Sequence, residues 1–205
     1  GYHVVKIDSR DRGKMKNVKS IIDNACKEKK ERDRKRGIIN RPVRAMVAGI
    51  PNVGKSTFIN SFAGKACAQT GNKPGVTKGK QWIRLNKDVE LLDTPGILWP
   101  KFEDKTVGIR LAFIGSVNDQ VINMHELAGE LVAYMTRLYP GRLNERYKAD
   151  ESLQIADILR CIATSRGCLK KGGEIDYDKA VSILFDDFRS GKLGKVSLES
   201  PEEYL

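Results

Sequence analysis

The segment of this sequence with the clearest chemistry is residues 49–56, GIPNVGKS, which satisfies the pattern G-x-x-x-x-G-K-[ST]. Its two glycines allow backbone to approach an anion closely, and N–H groups at a helix start direct partial positive charge toward it. Lys55 adds a full charge near the β and γ phosphates, and the Ser56 hydroxyl suits Mg²⁺. We therefore expect nucleotide phosphates to contact Asn52, Val53, Gly54, Lys55, Ser56 and Thr57.

A second segment, Asp93-Thr94-Pro95-Gly96, follows an apolar run at residues 89–92. Asp93 is thus expected at the end of a strand, where it can hold the hydration shell of Mg²⁺, while the Gly96 N–H can reach a γ-phosphate. Between the two segments lies KPGVTK, residues 73–78, whose hydroxyl at Thr77 can order this loop around the γ-phosphate and metal. The pattern predicts that Lys55, Thr77 and Gly96 are catalytic and that Ser56, Thr77 and Asp93 bind Mg²⁺.

The elements expected to position these segments are strands and helices in residues 1–103. Residues 44–50 predict a strand before the glycine loop, and residues 56–62 a helix after it. Residues 81–85 and 89–92 predict a hairpin. Further candidates lie at the N-terminus: a strand at residues 4–7, a helix bearing Val18, Ile21, Ile22 and Ala25, and its continuation through the charged residues 27–36.

Beyond residue 103 the apolar spacing predicts helices alone. Asp104 is expected to cap the first helix and Gly115 to end it, while Asp176 caps the last helix and Gly191 ends it. The residues expected to face inward are Val107, Leu111 and Ile114; Met124, Leu127, Leu131, Met135 and Leu138; Leu153, Ile155, Ile158, Leu159 and Ile162; and Tyr177, Ala180, Val181, Leu184, Phe185 and Phe188. We therefore predict two domains, residues 1–103 and 104–205.

Charge and composition restrict the partners and the compartment. The formal net charge of +11 favours a polyanionic partner, although a basic surface that only aids solubility would look the same. The basic residues cluster at 27–36, at Lys170 and Lys171, and at Arg189, Lys192 and Lys195. No apolar run approaches the roughly 18 residues of a membrane span. The four cysteines lack C-x-x-C and zinc spacing, so we expect reduced structural thiols in the cytoplasm, or alternatively an organellar matrix.

The phosphate loop, the Thr77 loop and the DTPG segment occur in an order that resembles the switch GTPases. Such proteins carry N-K-x-D on a later strand, yet Asn86-Lys87-Asp88 lacks the spacer and Asn118-Asp119 lacks the lysine. A circular permutation accounts for this, with N-K-x-D upstream of Gly1 and the domain in this chain incomplete at its N-terminus. Residues 4–7 would then be the last strand, and Ser9 would match the serine of the S-A-K loop beside the base, although Arg10 replaces the alanine.

The segments GIPNVGKST, KPGVTK and LLDTPGILWPKFED together resemble the ribosome biogenesis GTPase A family of circularly permuted P-loop GTPases. The resemblance implies an α/β domain followed by a small all-α domain that contacts ribosomal RNA of the large subunit. It also implies GTP and GDP as ligands, Mg²⁺, and slow intrinsic hydrolysis stimulated by the ribosome, because Ile97 stands where a catalytic glutamine would orient water. Asn52 resembles the asparagine of potassium-dependent GTPases and implies K⁺, with simple turn chemistry as the alternative.

The sequence alone therefore leaves three alternative functions open. The first is a GTP-hydrolysing assembly factor that binds large-subunit particles in the GTP state, leaves after hydrolysis and acts as a monomer. The second is an RNA-binding assembly module whose nucleotide only sets affinity. The third is an ATP-type P-loop enzyme.

Overall fold

The computed structural model describes residues 3–39, 41–68, 79, 81–84, 89–98 and 103–204. The chain divides into two compact units, Gly1–Pro100 and Lys101–Leu205. The sequence had placed this division at residue 103. Unit 1 holds the sheet, and unit 2 holds helices.

The described strands of unit 1 form one sheet in the order β1-β3-β2, with β1 at Val43–Val47, β2 at Gln81–Arg84 and β3 at Val89–Asp93. β1 runs parallel to β3, and β2 is antiparallel to β3. Apolar residues alternate along β3, so one face packs on the helix that follows β1; the buried cluster is Ile59, Ile83, Val89 and Leu91. The parallel register sets Val47 opposite Asp93, and the chain segments that leave both strands therefore start side by side.

The described part of unit 1 has three helices, which lie close to the positions that the sequence predicts. α1 spans Arg12–Ala25 and begins at Asp11, whose side chain accepts a hydrogen bond from the Gly13 N–H. α2 spans Lys27–Lys35 and buries none of its residues, since its charged side chains have no apolar face to pack. α3 spans Lys55–Ala63 and buries Ile59.

The strand predicted at residues 4–7 is wrong, because the structure gives these residues no regular secondary structure. Val4 is 96% exposed. A strand gains its stability from a hydrogen-bonded neighbour and a buried face. Residues 4–7 pair with none of the three described strands, so their apolar pattern has neither.

Unit 2 contains α4 at Lys105–Phe113, α5 at Met124–Leu138, α6 at Arg142–Tyr147, α7 at Ile155–Ser165 and α8 at Tyr177–Arg189. Single 3₁₀ turns lie at Asp119–Val121 and Pro201–Tyr204, and Leu169 forms an isolated bridge with Ile175. The predicted caps are confirmed, since Asp104 accepts from the Thr106 N–H and Asp176 from the Lys179 N–H. The short helix α6 was not predicted, because six residues cannot display a helical period.

The core of unit 2 follows the predicted pattern in the middle of each helix and departs from it at the ends. The predicted residues that are buried are Leu127, Leu131, Met135, Ile158, Ile162, Ala180, Val181, Leu184 and Phe185. Four predicted residues are exposed instead: Val107, Leu138, Leu153 and Ile155. In α4 the buried positions are Ala112 and Phe113, more than one turn beyond Val107, because the core contacts the C-terminal end of that helix.

No helix among the described residues combines the length and apolar character that a membrane crossing needs. All four cysteines are free thiols, with Cys168 buried and the others partly exposed.

Candidate functional site

The loop between β1 and α3 turns sharply by using left-handed backbone at two positions. Gly54 precedes α3 with φ of 89°, and Asn52 has φ of 59°. Glycine adopts this conformation without strain, and asparagine tolerates it better than most residues. The first turn of α3 contains no acidic residue, so no side chain there neutralises the positive end of the helix. The loop is thus a backbone cradle suited to an anion.

Lys55 folds back over this loop. Its Nζ donates a hydrogen bond to the Ile50 carbonyl at 2.7 Å, which holds the ammonium group above the cradle. Burial lowers the pKa of Lys55, and the nearby charge of Asp93 partly opposes that shift. A partly desolvated cation in this position would interact strongly with phosphate oxygens.

Asp93 lies at the end of β3 and is 1% exposed. Its Oδ1 has no hydrogen-bond partner within the described part of the chain. Burial raises the pKa of this carboxyl, while Lys55 and the N–H of Thr94 lower it. A buried carboxylate oxygen without a donor is costly. The water shell of Mg²⁺ would supply that donor, and the residues present therefore fit the metal role predicted for Asp93.

The DTPG segment packs directly on the phosphate loop. The Thr94 hydroxyl donates to the Val47 carbonyl at 2.8 Å. A Cβ added to Gly96 would lie 2.5 Å from both the N and the Cα of Pro51, which is closer than real Cβ atoms approach backbone. Only glycine fits there, so Gly96 brings its own N–H beside the loop. Ile97, the next residue, is 74% exposed and has no hydrogen-bonding side chain.

The other predicted site residues do not all lie at the phosphate loop, and some of them are outside the described residues. Ser56 and Thr57 are partly buried in the first turn of α3, and Val53 is half-exposed in the loop. Thr77, with the whole loop of residues 73–78, lies outside the described residues, as do residues 86–88. Ser9 occupies a turn in which the Arg10 N–H donates to Asp8 Oδ1 at 2.9 Å. Across the described residues, no hydrogen bond joins Ser9 to the phosphate loop.

Sequence reasoning missed Asn60, which fixes the chain after α3. Its Oδ1 accepts hydrogen bonds from the N–H groups of Cys67 and Ala68 at 2.9 and 2.7 Å, and its Nδ2 donates to the Ala68 carbonyl at 2.8 Å. These bonds hold the start of the segment that continues toward Thr77. The signal available was an asparagine inside a helix, where this residue is unfavourable unless its side chain has a task.

One basic residue assigned to a polyanion surface has a different role. Arg189 donates to the Phe113 and Ala112 carbonyls at 2.9 Å each, and so caps the end of α4. It also forms two hydrogen bonds with Asp119 at 2.7 and 2.8 Å. Its guanidinium is therefore occupied within unit 2. Lys170 and Lys171 are exposed beside a turn formed by Gly172 and Gly173, and the Lys170 ammonium lies 3.9 Å from Asp178 Oδ2.

Comparison with known proteins agrees with this geometry. Residues 44–161 match the family model described as 50S ribosome-binding GTPase. The Ribosome biogenesis GTPase A of Bacillus cereus is 45% identical over 100% of this chain and 69% of its own length. That of Priestia megaterium is 42% identical over 99% of this chain and 71% of its own length.

Solved structures of similar proteins agree with these family matches. GNP-bound YlqF from T. maritima is 30% identical, covers 82% of this chain and 64% of its own, and superposes with a TM-score of 0.52. A GDP-bound structure of TM YlqF has the same identity, covers 82% of this chain and 65% of its own, and gives a TM-score of 0.53. The resemblance found in the sequence motifs is confirmed, and the chain belongs to the ribosome biogenesis GTPase A family.

Proposed function

We propose that this chain binds and hydrolyses GTP as an assembly factor of the large ribosomal subunit. It joins pre-ribosomal particles through their rRNA in the GTP state and leaves after hydrolysis. The observation that supports this most is the contact of Gly96 with Pro51, because it joins a γ-phosphate sensor to a phosphate cradle. Family membership supports the ribosomal partner. We further propose that the protein acts as a monomer, in the cytoplasm or in an organellar matrix.

In the proposed reaction each residue acts on the phosphates. Lys55 neutralises charge on the β and γ groups, the Gly96 N–H binds a γ oxygen, and the Thr77 hydroxyl binds at the γ-phosphate and metal. Ser56, Thr77 and Asp93 would hold Mg²⁺, which when bound neutralises charge on the phosphate oxygens. The exposed Ile97 cannot orient the attacking water, so intrinsic hydrolysis is slow and the ribosome supplies the missing group.

Guanine specificity rests on the circular permutation, which is part of the proposal. In that order the base-reading strands precede the phosphate loop, and Ser9 belongs to the loop beside the base. The bound nucleotides named for the T. maritima structures, GDP and GNP, support a guanine ligand here. A competition assay with a fluorescent GTP analogue tests this on a protein that carries the base-reading N-K-x-D motif. Displacement by ATP as readily as by GTP in that protein would favour an ATP-type enzyme.

Asn52 is proposed to help bind K⁺ beside the phosphates. Because its φ of 59° suits glycine, Asn52→Gly removes the side chain without adding backbone strain. Wild-type hydrolysis should be faster in K⁺ than in Na⁺, and this difference should vanish in Asn52→Gly. If the wild type hydrolyses GTP at equal rates in both salts, Asn52 serves only the turn.

Co-sedimentation with purified large subunits tests the ribosomal step. Particle binding should be stronger with a non-hydrolysable GTP analogue than with GDP, and subunits should accelerate GTP hydrolysis. Particle binding without any turnover would favour the second candidate, an RNA-binding module whose nucleotide only regulates affinity. The net charge of +11 is the observation that keeps that candidate open.

A further inference from the structure

A buried carboxylate in unit 2 gathers three cationic side chains around itself. Asp187, in α8, is 3% exposed. Arg146 donates to it from Nε at 2.9 Å and from Nη2 at 3.1 Å. The Lys192 ammonium lies 3.1 Å from Asp187 Oδ1, and the Arg166 guanidinium lies 3.7 Å from Oδ2. We call Arg146, Arg166, Lys192 and Asp187 the Asp187 cluster.

The Asp187 cluster carries an excess of positive charge. Burial alone would raise the pKa of Asp187, but hydrogen bonds from Arg146, Lys192 and Tyr147 outweigh it and hold the pKa below the ordinary value. Asp187 is therefore ionised at neutral pH, and its single charge faces three cations. Within the described part of the chain, no second carboxylate lies within ion-pair distance of Arg146, Arg166 or Lys192.

The cations of the cluster remain accessible and keep unused donors. The side chains of Arg146, Arg166 and Lys192 are 31%, 28% and 56% exposed. Arg146 uses Nε and Nη2 on Asp187, so its Nη1 makes no hydrogen bond within the described residues. The Lys192 ammonium spends one of its three donors on Asp187. These donors can reach a ligand from solvent.

The two arginines of the cluster are held in place by contacts within unit 2. Arg166 stacks over the Tyr147 ring at 5.1 Å and donates from Nη2 to the Arg146 carbonyl at 3.2 Å. Such ordering lowers the entropy that a binding event must remove. Arginine pairs oxyanions through a planar fork, and lysine adds a point charge, so phosphate is the chemical class that fits.

The turn after α8 extends this charge. Leu193 is 2% exposed and anchors the turn in the core, which leaves the neighbouring Lys192 at the surface. Gly194, with φ of 89°, packs on Arg142, since an added Cβ would lie 3.0 Å from the guanidinium carbon. Arg142 is itself paired with Glu145 at 3.5 Å, but Lys195 is exposed and adds to the positive surface.

We propose that the Asp187 cluster is a binding site for a phosphate group of an RNA backbone. The choice of RNA as the source of that phosphate rests on the proposed function. Asp187 sets the spacing of the three cations, and the RNA phosphate takes the donors that Asp187 leaves unused. Specificity for base sequence is not expected, because backbone contacts carry none.

Lys192→Gln tests the site, because this is its most exposed cation and Arg146 still satisfies Asp187 in the variant. Lys179→Gln is the matched control, an exposed lysine in the first turns of α8. Lys192→Arg keeps the charge. Two probes are used with the full chain: purified large subunits, and a 20-base-pair RNA duplex. Lys192→Gln should weaken binding to both and reduce the log-log salt slope by about 0.7 to 1. Lys179→Gln and Lys192→Arg should behave like wild type.

The outcomes separate this site from the proposed function. Unchanged affinity and salt slope in Lys192→Gln, with wild type binding subunits, would overturn the site and leave the ribosomal function standing. Duplex binding that depends on Lys192, without subunit binding, would support the site and contradict the ribosomal function. Wild type that binds neither probe would overturn both. Thermal unfolding of all three variants confirms that a loss of binding is not a loss of fold.

Discussion

Asp93 and Lys55 show how individual residues of the site are kept in unfavourable surroundings. Burial raises the pKa of the carboxyl and lowers that of the ammonium, so in each case the charged form is disfavoured. A bound nucleotide with its Mg²⁺ would stabilise the charged forms of both Asp93 and Lys55. The ligand-free site is thus expected to cost folding free energy that ligand binding recovers.

Asp93→Asn should stabilise the ligand-free protein at pH 7 by about 1 kcal/mol and abolish its stabilisation by Mg²⁺ with GTP. Because the folded-state pKa of Asp93 is raised, the native state binds this proton more tightly than the unfolded state. The contribution of Asp93 to stability is therefore greatest below the ordinary carboxyl pKa and falls as the pH rises toward the raised value. The advantage of the variant should shrink as the pH falls through that range.

Fluorescence-detected urea unfolding measures this effect in unit 1, since both tryptophans, Trp82 and Trp99, lie there. The measurement is made without nucleotide and then with Mg²⁺ and GTP. A variant that is less stable than wild type at pH 7 without ligand would contradict the strained-carboxylate interpretation.

Gly96→Ala should weaken GTP-analogue binding roughly tenfold to hundredfold, because the added methyl would displace backbone at Pro51 by a clash worth about 1 to 3 kcal/mol. Gly79→Ala is the control in the same unit, where an added Cβ meets no atom of the described residues within 4 Å. Titration of both variants with a fluorescent nucleotide checks the prediction. Equal affinities in the two variants would mean that the DTPG segment moves away from the loop when nucleotide binds.

At the scale of elements, the sequence predicted what depends on neighbours along the chain. The caps at Asp104 and Asp176 and the spacing inside α5 and α8 follow from local rules, and the structure confirms them. The strand predicted at residues 4–7 was wrong because a strand requires a hydrogen-bonded neighbouring strand. The periodicity of the sequence does not show whether such a neighbour is present.

The candidate site was predictable in its residue types but not in all of its contacts. The spacing of Lys55, Asp93 and Gly96 pointed to the candidate site, yet the contacts of Asn60 depend on where the chain turns after α3. Arg189 was assigned to the surface, since nothing in the sequence relates it to the end of α4, 76 residues away. Long-range contacts of this kind are fixed by packing, which a pattern of residue types does not contain.

Arg189→Gln should destabilise unit 2 by about 2 to 3 kcal/mol, because it removes the cap of α4 and leaves Asp119 without its partner. Arg137→Gln, at an exposed position in the last turn of α5, should cost less than about 0.5 kcal/mol. Hydrogen exchange of the α4 amides measures both. Slow exchange in Arg189→Gln, equal to wild type, would show that the cap does not stabilise the helix.

At the scale of the whole molecule, the proposed function assigns different tasks to the two units. Unit 1 carries the candidate nucleotide site, whereas the proposed rRNA contacts include exposed lysines of unit 2. The charge excess is spread over both, since α2 in unit 1 is strongly basic and buries nothing. Net charge alone could therefore draw the protein to RNA without any defined contact surface.

Two double charge reversals separate a contact surface from net charge. Lys170→Glu with Lys171→Glu changes the exposed turn in unit 2, and Lys27→Glu with Lys29→Glu lowers the net charge by the same amount at α2. We expect the first pair to weaken large-subunit binding and to flatten the log-log salt slope by about 0.7 to 0.9 for each lost contact. GTP affinity should stay unchanged in it, since neither lysine belongs to the nucleotide site.

Co-sedimentation at two salt concentrations, with GTP-analogue and GDP buffers, measures both pairs together. The Lys27 and Lys29 pair should lose less affinity and keep the wild-type salt slope, because a solvated helix face contributes only long-range attraction. Equal losses in the two pairs would assign the binding to net charge. A larger loss at α2 would move the rRNA contact to unit 1, the unit that also carries the candidate phosphate loop.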